Sequence, residues 1–131
     1  MLFRSIIYLI LIACLLPYVF TIIAKASGGF KAADNQNPRE FLAKTTGLAA
    51  RANAVQQNSF ESLPLFIAAI LMAEYMVVSQ HLIMMLGIAY IVLRIIYGIC
   101  YLANISALRT IIWALSLACP IILLLLVIRI V

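Results

Sequence analysis

Four long apolar runs constrain this chain more than any other feature of its sequence. They cover roughly residues 2–24, 59–78, 81–103 and 108–130. A helix needs about 20 apolar residues to cross the hydrocarbon core of a bilayer, so each run is long enough for one span. The composition agrees, since 67% of the residues are hydrophobic and 10% are charged. A soluble domain is about half apolar and about a quarter charged, so the sequence predicts an integral membrane protein.

The links between the runs predict how the helices are arranged. The first link is long and polar, KASGGFKAADNQNPREFLAKTTG, whereas the next two are only SQ and NIS. Short connections make neighbouring helices antiparallel. We therefore expect a single all-α domain over residues 1–131, an integral membrane four-helix up-down bundle. Its helices are predicted at about 2–24, 38–78, 81–103 and 106–130.

The second helix is expected to begin before its apolar run. Asn37 is a typical N-cap, Pro38 suits the first turn and Glu40 follows three residues after the cap. From there the helical pattern continues to about Val78, with Gly47 as its weak point.

The distribution of basic residues predicts the orientation, because cytoplasmic links carry an excess of Lys and Arg. Basic residues gather on the first and third links, at Lys25, Lys31, Arg39, Lys44, Arg51 and Arg109. We therefore expect the polar links in the cytoplasm and both termini on the non-cytoplasmic side. A cleaved signal peptide is an alternative for the first run, although its apolar stretch exceeds the usual length of about 7–15 residues.

Two helices carry polar residues at helical spacing inside apolar sequence. One predicted face of the second helix holds Arg51, Asn58 and Glu61, and one face of the third holds Arg94, Tyr97 and Tyr101. An ionised group that faces lipid costs several kcal/mol, so we expect the two faces to meet inside the bundle or at a subunit contact.

Two interpretations of these faces remain open. One is a buried ion pair of Glu61 with Arg94 or Arg51 that fixes the register of the helices. The other is a pocket for a small charged molecule, in which arginines bind carboxylates and phenols donate hydrogen bonds. The scattered excess of basic residues, with a net charge of +5, is explained by membrane lipid rather than by nucleic acid. Three cysteines and one histidine without ligand spacing predict no metal site.

The polar stretch of the second helix resembles a known signature. RANAVQQNSFE followed by PLF is similar to the pattern E-R-x-x-R-A-x-x-N-x-x-E of the MAPEG family, membrane-associated proteins in eicosanoid and glutathione metabolism. Arg51, Asn58 and Glu61 match its first arginine, its asparagine and its last glutamate. The later stretch RIIYGICYLANISALR resembles the arginine, spaced aromatic residues and closing arginine of the family. The segment DNQNPREFLAK, which leads into the second helix, resembles bacterial members of the family. So does the arrangement of four helices with a long first link.

The chain also departs from the signature. Ala50 replaces its glutamate, Ala54 its second arginine and Val55 its alanine. Ser62 stands where several catalytic members carry tyrosine. Because the second arginine helps to hold glutathione in characterised members, its absence favours a non-catalytic scaffold.

The resemblance implies a homotrimer in the bacterial inner membrane, with glutathione as co-substrate between neighbouring subunits. It implies a glutathione-dependent transferase or peroxidase that acts on lipophilic electrophiles. The glutathione-binding residues would be Arg51, Asn58, Glu61, Arg94, Tyr97 and Tyr101. The catalytic residue would be Arg109, which stabilises the thiolate, with Thr110 as a possible accessory. The alternative is a non-catalytic membrane scaffold of the same fold with structural ion pairs.

Overall fold

The structure, a computed structural model, describes residues 2–131, with the side chain of Leu2 left out. This part of the chain contains five α-helices, one short 3₁₀ helix at Ala32–Gln36 and no strand. The helices are α1 (Leu2–Gly28), α2 (Pro38–Ala43), α3 (Gly47–Tyr75), α4 (Gln80–Leu102) and α5 (Ser106–Ile130).

The four long helices form an up-down bundle. Near the start of α3, Arg51 Nε donates a hydrogen bond to the carbonyl of Leu102 at the end of α4. Further along α3, Ser62 lies 2.7 Å from the hydroxyl of Tyr90, which is earlier in α4. The two helices are therefore antiparallel, as the short link between them requires. The predicted fold class, an all-α membrane bundle of four long helices, is confirmed.

The helices α3 and α4 each pack against all three other long helices of the bundle. Within the described residues, three helices are long and apolar enough to cross a membrane, namely Phe3–Gly28, Gln80–Leu102 and Ser106–Ile130. The predicted second span belongs to α3, which does not meet that standard because Glu61 and Glu74 bracket its apolar part. The three apolar helices around α3 shield that part, so its lower hydropathy is compatible with a position inside the bundle.

Close packing in the apolar half depends on an aromatic stack and on small residues. The rings of Phe66 and Tyr90 stack with centroids 4.1 Å apart, and both side chains are buried. Ala69 and Ala73 on α3 are fully buried, and Gly87 on α4 faces Leu9 of α1. Small residues of this kind let membrane helices approach closely.

The structure corrects the prediction of one continuous second helix from residue 38 to residue 78. The start is confirmed, because Asn37 Oδ1 accepts a hydrogen bond from the backbone N–H of Glu40. However, α2 ends at Ala43, and α3 begins at Gly47 and ends at Tyr75. Gly47 has φ of 60°, a left-handed conformation that interrupts a right-handed helix and that glycine adopts readily. The first helix also differs, since it continues past Ala24 to Gly28.

Candidate functional site

A cavity lies where α3, α4 and α5 meet, toward the end of the bundle that carries the polar links. Its volume is about 220 Å³, and its walls are formed by Asn58, Tyr97, Tyr101, Arg109, Thr110 and Trp113. Four of the predicted site residues are therefore brought together, namely Asn58, Tyr97, Tyr101 and Arg109. We call this space the α3–α5 cavity.

Two adjacent tyrosine rings of this cavity are flanked by a guanidinium group on each side. The guanidinium carbon of Arg109 lies 4.4 Å from the ring centroid of Tyr101. The Tyr101 ring meets Tyr97 edge-on, with centroids 5.8 Å apart. The guanidinium carbon of Arg94 lies 4.3 Å from the ring centroid of Tyr97. Cation–π contacts of this kind fix the cations in place, and they strengthen where water is excluded.

Arg94 lies behind the lining residues of the cavity and does not line the cavity itself. Its side chain is only 1% exposed. Its Nη2 donates to Asn58 Oδ1 at 2.8 Å and to Ser59 Oγ at 3.0 Å, and its Nη1 donates to Ser116 Oγ at 3.4 Å. One guanidinium therefore joins α3, α4 and α5. Because the side chain is sealed, Arg94 does not reach the cavity itself, and it contacts two of the lining residues, Asn58 and Tyr97.

The bond from Arg94 also orients the amide of Asn58. Since Asn58 Oδ1 accepts from Arg94, the Nδ2 group remains as the donor that Asn58 offers to the cavity. The other polar groups of the lining residues are the Arg109 guanidinium, the hydroxyls of Tyr97 and Tyr101, the Trp113 indole N–H and the Thr110 hydroxyl, which donates to the Ser106 carbonyl. None of the described residues that line this cavity is acidic. The arrangement favours an anion.

Two predicted site residues are placed elsewhere. Arg51 is bonded through Nε to the carbonyl of Leu102 at 3.2 Å, where it satisfies a carbonyl at the C-terminal end of α4. Glu61 is exposed and lines a different cavity, between α2 and α3. Asn58 and Glu61 are three residues apart on α3, but they line different cavities.

The predicted ion pair of Glu61 with Arg94 or Arg51 is not formed. Within residues 2–131 the ion pair present is Lys44 with Glu40, at 2.7 Å in the first link. The hydrogen bond between them lowers the pKa of the Glu40 carboxyl and raises the pKa of Lys44. Arg94 is instead held by neutral oxygens of Asn58, Ser59 and Ser116.

Two serines that bind Arg94 were not predicted from the sequence. Ser59 and Ser116 are 4% and 1% exposed. Ser116 is a hydroxyl residue well inside the very apolar fourth run, and that position was the signal that pointed to an interhelical partner. A second buried contact was also missed. Ser62 Oγ donates to the carbonyl of Ser59, so the Tyr90 hydroxyl donates to Ser62.

Fold and site together define a class: an integral membrane four-helix protein with a cationic, phenol-lined cavity near one end of the bundle. The comparison with known families makes this specific, because the profile of the MAPEG family matches residues 5–129. The chain therefore belongs to the MAPEG family, whose members are membrane proteins of glutathione-related transferase and peroxidase type. No curated protein and no solved structure matches the chain.

Proposed function

We propose that this protein is a membrane-embedded glutathione-dependent transferase or peroxidase that acts on lipophilic electrophiles. The observation that carries the proposal is the α3–α5 cavity, where Arg109 lies over Tyr101 and beside Asn58 and Tyr97. These groups offer a cation and hydrogen-bond donors to one small space. Membership of the MAPEG family supports glutathione as the thiol that binds there.

The chemistry follows from the thiolate, which is the reactive form of a thiol. A guanidinium beside the sulfur favours loss of the thiol proton, and the phenol hydroxyls donate hydrogen bonds to the resulting anion. In a transferase the sulfur attacks an electrophilic carbon, a C–S bond forms and the leaving group departs. In a peroxidase two thiols reduce a hydroperoxide to an alcohol and water and are themselves oxidised to a disulfide. In this proposal Arg109 is the catalytic residue for either reaction.

The size of the cavity supports assembly into a homotrimer. Ligand pockets typically measure about 300–1,000 Å³, and the α3–α5 cavity is smaller, at about 220 Å³. Its open side would be closed by a neighbouring subunit. Arg51 and Glu61 are then available to a ligand from the outer face of α3, and Arg94 contributes from below through Asn58.

The membrane supplies the second substrate. Much of α1 and α5 exposes large apolar side chains, including Ile7, Leu11, Leu15, Leu125 and Ile128. Such surfaces lie against lipid, from which a lipophilic electrophile reaches the bundle without crossing water. In our proposal the protein occupies the bacterial inner membrane, with both termini on the non-cytoplasmic side and the cavity near the cytoplasmic face.

One observation favours the alternative function, a non-catalytic scaffold of the same fold. Both terminal nitrogens of Arg94 donate to Asn58, Ser59 and Ser116, as in a structural cluster, while the buried Arg94 Nε has no hydrogen-bond partner among the described residues. The chain also lacks the second arginine of the family signature, because Ala54 stands at that position.

A glutathione titration of the detergent-purified protein separates the two functions. We expect millimolar glutathione to raise the melting temperature, and we expect Arg109→Ala to abolish this shift. Arg129→Ala, at the opposite end of the bundle, is the matched control and should behave as the wild type. A wild-type protein that shows no shift at any glutathione concentration would leave only the scaffold.

A further inference from the structure

A buried hydroxyl on α5 lies at the boundary between two unlike halves of this helix. None of residues 106–115 is buried, although this first half carries Arg109 and Trp113 of the α3–α5 cavity. The half of α5 that supplies the proposed catalytic residue therefore has little burial of its own to hold it in place. The buried residues of α5 begin at the boundary and continue toward its C-terminal end, namely Ser116, Cys119, Pro120, Leu123 and Val127.

The backbone of α5 is also interrupted at this boundary. Pro120 has no N–H to donate to the carbonyl of Ser116, so one helical hydrogen bond is missing. In the first half, Ile112 packs against the apolar cluster that contains Tyr97. Apolar contact is non-directional, so it does not by itself fix how this half is rotated about the helix axis.

The hydroxyl of Ser116 supplies a directional contact. Its Oγ donates to the carbonyl of Trp113 at 2.8 Å and accepts from Nη1 of Arg94 at 3.4 Å. Arg94 is itself fixed on the other two helices, because its Nη2 donates to two oxygens of α3 and its guanidinium lies over the ring of Tyr97 on α4. The helix α5 is thus tied at Ser116 to a cation that α3 and α4 hold.

The contact of Ser116 with Arg94 is matched, two helical turns away, by the contact of Arg109 with Tyr101. On α4, Tyr101 lies seven residues after Arg94, and on α5, Ser116 lies seven residues after Arg109. Seven residues make almost two turns and rise by about 10.5 Å, so the two contacts join the same faces of the two helices. The rotation of α5 that lets Ser116 meet Arg94 therefore also turns Arg109 toward Tyr101, where its guanidinium carbon lies 4.4 Å from the ring centroid.

We infer that Ser116 is a positioning residue, which keeps Arg109 over Tyr101 by fixing the rotation of α5 against Arg94. This inference rests on the proposed function, because it concerns the cation that stabilises the thiolate. Without the contact, the first half of α5 is free to turn, and Arg109 moves away from the sulfur. A displacement of about 1 Å from a distance of about 4 Å lowers the ratio of thiolate to thiol about fourfold, for an effective dielectric constant of about 20.

The test measures the ionisation of glutathione bound to the full-length protein in lipid nanodiscs. The readout is the NMR shift of the isotope-labelled cysteine β-carbon of glutathione over a range of pH. Ser116→Ala is expected to lower the ratio of thiolate to thiol about fourfold at a given pH. Ser116→Cys fills the same space with a weaker acceptor, so most of this decrease should remain if the hydrogen bond is the cause.

The matched control is Cys119→Ala on the same helix. Cys119 is also buried, and its Sγ donates to the carbonyl of Leu115 within α5. Its replacement removes a side-chain atom of the packed half without touching the contact to Arg94, so the ionisation should stay as in the wild type. The melting temperature of each variant without ligand checks folding, and Ser116→Cys carries the test if Ser116→Ala does not fold.

A double mutant shows whether Ser116 acts through Arg109. Arg109→Gln removes the cation, so the addition of Ser116→Ala should cause no further change in the ionisation of bound glutathione. A further decrease in the double mutant would overturn the inference, because Ser116 would then act on the sulfur by another route.

The outcomes separate this inference from the proposed function. If wild-type protein stabilises the bound thiolate but the Ser116 variants do so equally well, the inference is overturned and the proposed function stands. The same conclusion follows if Cys119→Ala lowers the ratio as much as Ser116→Ala does. If wild-type protein does not bind glutathione, both are overturned.

Discussion

The packing of α1 against α4 leads to a prediction about Gly98. A Cβ atom added at Gly98 would overlap Cζ of Phe20 and lie 2.5 Å from its Cε1. The Phe20 ring is buried in a cluster with Val55 and Tyr97, so it has little room to move away. Overpacking of this kind costs about 1–3 kcal/mol, and we expect Gly98→Ala to destabilise the bundle by that amount.

The control for this substitution is Gly87→Ala on the same helix. There the nearest atom to an added Cβ is Leu9 Cδ1 at 2.9 Å, the end of a flexible side chain, so the cost should be smaller. Unfolding in mixed micelles can be followed by the fluorescence of Trp113, the single tryptophan. Because Phe20 contacts the cluster of Tyr97, Gly98→Ala should also weaken glutathione binding.

A double mutant identifies the cause. Phe20→Leu removes the ring that the new methyl group meets, so Gly98→Ala should cost less in that background, with a coupling energy of about 1 kcal/mol or more. A Gly98→Ala protein as stable as the wild type would mean that the expected overlap with Phe20 does not occur. Equal costs of Gly98→Ala with and without the Phe20 ring would mean that this ring is not the cause.

Three further predictions concern other contacts. Arg94→Met should lower the free energy of unfolding by about 1–3 kcal/mol for each buried acceptor that is left unpaired, and Arg94→Lys should recover only part of this, as chemical denaturation would show. Ser62→Ala and Tyr90→Phe should each destabilise the bundle by about 1 kcal/mol, whereas the double mutant should lose less than the sum; additive losses would contradict the hydrogen bond. The Glu40 carboxyl has a lowered pKa in the folded protein, so its contact with Lys44 stabilises α2 above the ordinary glutamate pKa and is lost as the pH falls through the lowered value. Protection of the α2 amides against hydrogen exchange, relative to the intrinsic exchange rate at each pH, should fall in that acid range and should fall much less in Glu40→Gln.

The helical architecture could be predicted because it depends on the lengths of the apolar runs and of the links between them. Apolar runs long enough to span a bilayer set the number of long helices, and two short links made neighbours antiparallel. The break between α2 and α3 could not be predicted with the same certainty. Gly47 is compatible with a helix at a cost of about 1 kcal/mol, and the sequence does not reveal that its φ is positive.

The candidate site was predictable in part for a related reason. Helical periodicity places Tyr97 and Tyr101 on one face of α4, and the structure puts both in the α3–α5 cavity with Asn58. Periodicity gives the angle between residues around one helix axis. It does not reveal which neighbouring helix packs against each face. Asn58 and Glu61 were predicted to act together, but α4 and α5 complete the cavity of Asn58 and α2 completes that of Glu61. The burial of Arg94 depends in the same way on partners from other helices.

In the proposed function, the α3–α5 cavity stabilises an anionic sulfur beside Arg109. Ultraviolet difference spectroscopy of the thiolate, recorded as glutathione is added to the purified protein over a range of pH, measures this directly. We predict that bound glutathione ionises at a lower pH than free glutathione and that Arg109→Gln returns its ionisation toward the free value. Glutathione that binds to the wild type with the ionisation of the free thiol, or with the same ionisation in Arg109→Gln, would contradict the account.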